Sequence, residues 1–236
     1  MEIDELKKAF KQCFDAEGVI YTSPGRINLI GEHTDYNGGF VFPGAIDKGI
    51  YAVIRPNGTD TVNGYSIDRD AKWSFTIDEN DQPKKHGSQY IHGVCREIQK
   101  RGYKIGGFDT VFAGDVPLGA GMSSSAALSS TYAFAINDLF NLGIDKFELA
   151  RIGQATEHNY CGVNCGIMDQ FASIFGKKGH LMRLNCATME FEYFPFNPKG
   201  YKVVLLDTRV KHELASSAYN KRRESCENAC AHIAAK

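Results

Sequence analysis

The 236-residue sequence predicts an α+β fold on three observations. Short β-rich runs punctuated by glycine and proline extend from Val19 to about Asp78, and apolar residues then recur at helical spacing from Gln89 onward. A strand over Gly107–Ala113 leads through a glycine-rich turn into a second helix made of small and apolar residues.

Ile3, Leu6, Phe10 and Phe14 recur near helical spacing, so the first stretch is expected to be an amphipathic helix laid against the body. Gly49–Arg55 and Lys72–Asp78 are the clearest strands of the β-rich part. Over Gln89–Arg101, Ile91, Val94, Cys95 and Ile98 share one helical face, and Gly102 follows as a stop signal. Ser123–Phe140 suits a helix buried on most sides. Asp145 can cap a further helix running to about Asn159, with Phe147, Leu149, Ile152 and Ala155 inward. Strands are expected at His180–Asn185, Met189–Phe196 and Tyr201–Asp207, and Glu213–Lys236 is helical in composition. That last segment ends in Ala-Ala-Lys without a Gly or Asn stop signal, as a truncated helix would. Proline and glycine around Pro195–Gly200 mark the expected boundary between a domain of residues 1–197 and the beginning of a second, 198–236.

Hydrophobic residues make up 43% and charged residues 23%, the balance of an ordinary globular chain. Net charge is −1 with both signs interspersed, which leaves no electrostatic footprint for nucleic acid or an anionic membrane and points to a small ligand. The charged N-terminal stretch argues against a secretory signal, and no run of about 18 apolar residues exists to span a bilayer. Seven cysteines are an odd number, and Cys161/Cys165 and Cys226/Cys230 stand four apart rather than at the C-x-x-C spacing of zinc or redox sites. Reduced thiols in a cytoplasmic protein are therefore expected.

Three segments carry chemistry. Gly114-Asp-Val-Pro-Leu-Gly-Ala-Gly-Met-Ser-Ser-Ser-Ala-Ala joins a strand to a helix, a junction that offers unpaired N–H groups to an anion. Gly119 and Gly121 allow close backbone approach, and Ser123, Ser124 and Ser125 add hydroxyls. A Walker A loop is excluded because Ala120 follows Gly119, and a dinucleotide fingerprint because Ser124 holds its third glycine position. The same residues would also suit a closely packed helix start. Gly25-Arg-Ile-Asn-Leu-Ile-Gly-Glu-His-Thr-Asp-Tyr gathers Arg26, Asn28, Glu32, His33, Asp35 and Tyr36, donors and acceptors suited to a polyol, or alternatively a solvated turn. In the third segment, Thr156 to Gln170, Glu157 and Asp169 could divide the two tasks of phosphoryl transfer, orienting a hydroxyl and holding Mg²⁺, or serve as caps and surface charges.

In this order the segments resemble the galactokinase family of the GHMP superfamily. The segment from Gly25 to Tyr36 matches G-R-x-N-L-I-G-E-H-x-D-Y, the glycine- and serine-rich segment is similar to P-x-G-x-G-x-S-S-S-A, and the likeness continues through Gly-Ile-Met-Asp-Gln and Tyr219-Asn-Lys-Arg-Arg. The resemblance implies a GHMP-kinase-like two-domain architecture. Its N-terminal mixed sheet with helices would be like the second domain of ribosomal protein S5, and its second domain incomplete. It implies transfer of the ATP γ-phosphoryl group to the C1 hydroxyl of α-D-galactose, giving galactose 1-phosphate. Asp169 would then be the catalytic base and Arg26 would stabilise charge on the moving phosphoryl group. Glu32, His33, Thr34, Asp35, Gly166, Asp169 and Tyr219 would contact the sugar. Gly119, Ala120, Gly121, Met122, Ser123, Ser124 and Ser125, with Ser66, would contact the nucleotide, and Ser125 and Glu157 would hold Mg²⁺. The complete enzyme is expected to be a cytoplasmic monomer. The family's third, glycine-rich motif has no counterpart before Lys236, so a polypeptide ending there is expected to lack one wall of the cleft. Alternatives are an N-acetylgalactosamine or other sugar kinase, a galactokinase-like sugar sensor, and a non-catalytic scaffold.

Overall fold

Alternating burial along the strands builds a sheet covered on both faces. The computed structural model describes residues 3–78, 83, 87–117, 121–206 and 218–235. The strands are β1 (Val19–Asn28), β2 (Phe40–Val41), β3 (Pro43–Pro56), β4 (Thr61–Ser66), β5 (Ala71–Thr76), β6 (Phe108–Gly114), β7 (His180–Asn185) and β8 (Phe191–Pro195). The helices are α1 (Ile3–Phe14), α2 (Ser88–Lys100), α3 (Ser124–Leu139), α4 (Lys146–Cys161), α5 (Met168–Phe175) and α6 (Ala218–Ala234).

The larger sheet has the order β1-β3-β6-β4-β5 and is mixed, because β4 and β6 run parallel while its other pairs are antiparallel. Side chains on successive residues leave opposite faces of a strand. Ala52, Ile54, Val62, Phe108 and Phe112 therefore enter the main core, alongside Ile91, Val94 and Ile98 of α2 and Tyr132 and Ile136 of α3. Val53, Val111 and Ala113 meet Leu6 and Phe10 of α1 on the other face. Tyr132 is fully buried, and its hydroxyl is satisfied by Thr110 Oγ1 at 2.7 Å. A smaller sheet, β2-β7-β8, packs beside α5, where Phe171 stacks on Phe175 at 4.2 Å and meets Phe191 edge-to-face at 5.2 Å.

The α+β class stands, as do the buried helix α3 and the capped helix α4. Other expectations need correction. Ile3 is 45% exposed, so α1 is anchored by Leu6 and Phe10. Phe147 is not inward but 38% exposed, its ring lying on Phe175 at 4.8 Å as a partial lid over the aromatic cluster. The strand expected from Met189 begins only at Phe191, because Met189 takes a left-handed turn conformation (φ 60) and its N–H donates to Asn185 O. Tyr201–Leu206 is not a strand: all six residues are exposed and no neighbouring strand among the described residues pairs with them. Asp207 and the 213–217 part of the last predicted helix lie outside the described residues. Helix α5 is absent from the sequence reading. All seven cysteines are free, and among the described residues no helix is long and apolar enough to cross a membrane.

Candidate active site

The site is assembled from β1, the segment before α3, and the facing starts and ends of α4 and α5. Gly25 makes the first junction: a Cβ there would stand 2.6 Å from Met122 O, so only glycine lets the segment lie directly on β1. The Arg26 N–H then donates to Met122 O at 3.1 Å. Register in the β1–β3 ladder shifts between Pro24 and Arg26, an irregularity of the kind that re-aims a side chain. From there the Arg26 guanidinium reaches across the site, with Nε and Nη2 each 2.7 Å from Asp169 Oδ1 and Nη1 donating to Gly121 O at 2.6 Å.

Asp169 sits in the first turn of α5, where the helix dipole favours a carboxylate. Its second oxygen, Oδ2, accepts a 2.6 Å hydrogen bond from Ser123 Oγ. Ser123 is the residue before α3, in the left-handed region (φ 57, ψ 50), and its side chain makes no capping bond. The first turn of α3 is thus left without a side-chain cap, the condition under which helix N–H groups receive an anion.

Glu157, near the end of α4, is 4% exposed. Its Oε1 accepts from Gln170 Nε2 at 3.0 Å, and the Ser125 hydroxyl also donates to it. Burial, and then the charge of Asp169, push its carboxyl up to about 7. Among the described residues no ion pair compensates it.

Asp35 occupies a 3-10 turn over 35–37 and packs on Gly166, where a Cβ would stand 2.2 Å from Asp35 Oδ2. Burial and the nearby Asp169 charge raise the Asp35 carboxyl. Tyr219 of α6 completes this side: its hydroxyl accepts from the Gly166 N–H, and its ring lies 5.4 Å from both His33 and Tyr36. His33, itself left-handed (φ 62), has Nδ1 2.8 Å from Tyr36 Oη. Asn220 and Arg223 tie α6 to the same loop, through Asn220 Nδ2 to Gly162 O at 2.9 Å and Arg223 Nη1 to Asn164 O at 3.0 Å.

The structure therefore brings together Arg26, Gly121, Met122, Ser123, Ser125, Glu157 and Asp169, with Asp35, Gly166, His33 and Tyr219 beside them. Ser124 lies in the same first turn of α3, half-buried. Glu32 is exposed at the rim, where Asn28 Nδ2 meets it at 3.2 Å. Thr34 uses its hydroxyl on the backbone carbonyls of Gly31 and Phe40, knitting its own loop. Ser66 is buried at the end of β4 and shares no hydrogen bond with the cluster among the described residues. Gly119 and Ala120 lie outside the described residues. Sequence reasoning gave no role to Gln170, although Gly153 is its trace: a mid-helix glycine whose Cβ would stand 2.9 Å from Gln170 Cγ.

A mixed sheet backed by helices in this order is the fold of a GHMP kinase. Residues 89–177 match the GHMP kinases N terminal domain, and residues 8–56 match the galactokinase galactose-binding signature. The chain is 44% identical over 233 residues to the galactokinase of Clostridium tetani, which covers 97% of this chain and 59% of that protein. It superposes on the galactokinase of Lactococcus lactis complexed with galactose with a TM-score of 0.93 and 36% identity, covering 99% of this chain and 62% of that one. Mevalonate kinase of Methanococcus jannaschii shares the fold at a TM-score of 0.64 and 19% identity, over 76% of this chain and 56% of that one. The chain belongs to the galactokinase family, and it spans about three fifths of the length of the relatives it matches.

Proposed function

We propose that this chain carries the base, the sugar contacts and the phosphate-binding helix start of a galactokinase, which transfers the γ-phosphoryl group of ATP to the C1 hydroxyl of α-D-galactose. One observation carries the reading: Asp169 is held at both carboxylate oxygens, by Arg26 and Ser123, at the mouth of the uncapped helix α3. Asp35, the Gly166 backbone and Tyr219, with Glu32 and His33 at the rim, hold the sugar hydroxyls. Asp169 orients the C1 hydroxyl and accepts its proton as the C1 oxygen bonds to the γ-phosphorus and the bond to the β,γ-bridging oxygen breaks, so that ADP leaves. Arg26 offsets charge on the transferring group, and the backbone and hydroxyls at the start of α3 receive the nucleotide phosphates.

The residues present also fit a magnesium ion. Glu157 is a buried carboxylate without an ion pair among the described residues, bonded to the Ser125 hydroxyl at the same helix start, and Mg²⁺ takes few protein oxygens beside phosphate and water. Ser125 and Glu157 would hold it, and when bound it would neutralise phosphate charge. Seven free thiols suit the cytoplasm, and we place residues 1–197 in the N-terminal domain with the remainder beginning a second; the complete enzyme is a monomer.

The test is transfer of label from γ-³²P-ATP across a panel of galactose, N-acetylgalactosamine and glucose, with galactose affinity measured separately by calorimetry. Label on galactose in preference to the others is expected. Galactose binding without transfer by a protein that includes the third, glycine-rich motif would favour a sensor, and no sugar binding would overturn the reading.

A further inference from the structure

We infer that Ser123 serves Asp169 rather than the nucleotide phosphates, fixing the second carboxylate oxygen of the base. The inference rests on Asp169 holding the sugar hydroxyl as proposed above. Arg26 contacts Oδ1 alone, through two nitrogens, and a carboxylate bound at one oxygen still turns about its broad terminal torsion. The Ser123 hydroxyl, 2.6 Å from Oδ2, removes that freedom with a bond of the short, charge-assisted kind that hydroxyls make to carboxylates.

The backbone makes the same point independently. A serine before a helix ordinarily takes an extended conformation and turns its oxygen onto the first-turn N–H groups. Ser123 does neither: it adopts φ 57 and ψ 50, a region that disfavours side chains with a Cβ, and makes no capping bond. Strain of this kind persists where the surroundings over-determine it. Here the two preceding residues are pinned, Gly121 O by Arg26 Nη1 and Met122 O by Arg26 N–H, so the turn and the guanidinium are set by the same arginine. Ser123 is thereby a positioning residue, and phosphate binding falls to the freed N–H groups with Ser124 and Ser125.

Ser123→Gly and Ser123→Ala, made in this 236-residue chain, separate the roles. Calorimetric titrations with galactose and with Mg²⁺·ADP would be run for each, with Tm as the measure of folding. Both variants are expected to bind galactose about 5- to 10-fold more weakly and Mg²⁺·ADP within about twofold of the parent, the loss of one hydrogen bond. Ser123→Gly should melt at or above the parent Tm, since glycine relieves the left-handed residue, and so excludes instability as the cause. Weakened Mg²⁺·ADP binding with unchanged galactose binding would make Ser123 a phosphate ligand and overturn the inference. Unchanged galactose binding in both variants would overturn it too. A parent chain that binds no galactose instead defeats the underlying sugar-site reading, a result distinct from the other two.

Discussion

Helices α3 and α4 are each sixteen residues long and begin in opposite ways. Before α4, Asp145 is extended (φ −72, ψ 162) and its Oδ1 accepts from the Glu148 N–H at 3.0 Å. Before α3, Ser123 is left-handed and gives its hydroxyl to a residue 46 positions away. One helix start is completed by its own neighbours, and the other is left for a ligand to complete. The two carboxylates around the open start divide similarly: Asp169 has a cation and a hydroxyl on it, whereas Glu157 is buried among neutral donors.

The largest expected effect comes from removing the acceptor around which the open start is organised. In the complete enzyme Asp169→Asn should lower phosphoryl transfer between ~10²- and ~10⁴-fold, the range for a positioned acid or base, with galactose affinity lowered by no more than about tenfold, the most that loss of its Ser123 contact costs. Steady-state assay alongside calorimetry checks both halves, and near-normal turnover would remove Asp169 from the role of base.

Glu157 sharpens the contrast through pH. Its folded carboxyl titrates at about 7 against an ordinary 4.5, so the native state retains a proton that the unfolded chain has already released. Its contribution is therefore full below pH 4.5 and declines as pH rises to about 7, a loss on the order of 3 kcal/mol for this fully buried group. Glu157→Gln should flatten that decline when Tm is compared at pH 5 and pH 8. Parallel Tm–pH curves for the two proteins would contradict the assignment.

Smaller effects follow at the junction and at the capped start. Gly25→Ala places a Cβ 2.6 Å from Met122 O and must lift the segment before α3 from β1. Nucleotide affinity should fall roughly tenfold, about 1.4 kcal/mol, in a direct titration. Asp145→Ala removes the α4 cap, costing about 1 kcal/mol and lowering Tm by about 2–4 °C. Ligand affinities should stay as they were, and any loss of nucleotide binding there would break the distinction between the two starts.

Much of this was legible along the chain. Helical spacing located α2, and Asp145 announced α4 because a cap is a local signal. The small residues from Ser123 onward announced a buried helix for the same kind of reason. What escaped depended on distant partners. Helix α5 has only eight residues in an apolar run, too short for periodicity to separate helix from strand. Tyr201–Leu206 reads as a strand by composition, yet a strand also needs a neighbour to receive its backbone bonds. Ser123 looked like one of three equivalent hydroxyls, and only tertiary structure sets it apart. Gln170 was hidden for a related reason, since its partners Glu157 and Gly153 lie on another helix.

The reach of Arg26 has a kinetic corollary. It joins Asp169 across 143 positions and Gly121 across 95, so no short stretch of chain carries the whole geometry. Contacts that close loops of this size form late and slowly, after most of the ordering entropy has been overcome. In a nascent polypeptide the Arg26–Asp169 pair cannot form until residue 169 has been synthesised and docked. Thereafter any ligand that binds the finished cleft stabilises the whole fold by mass action.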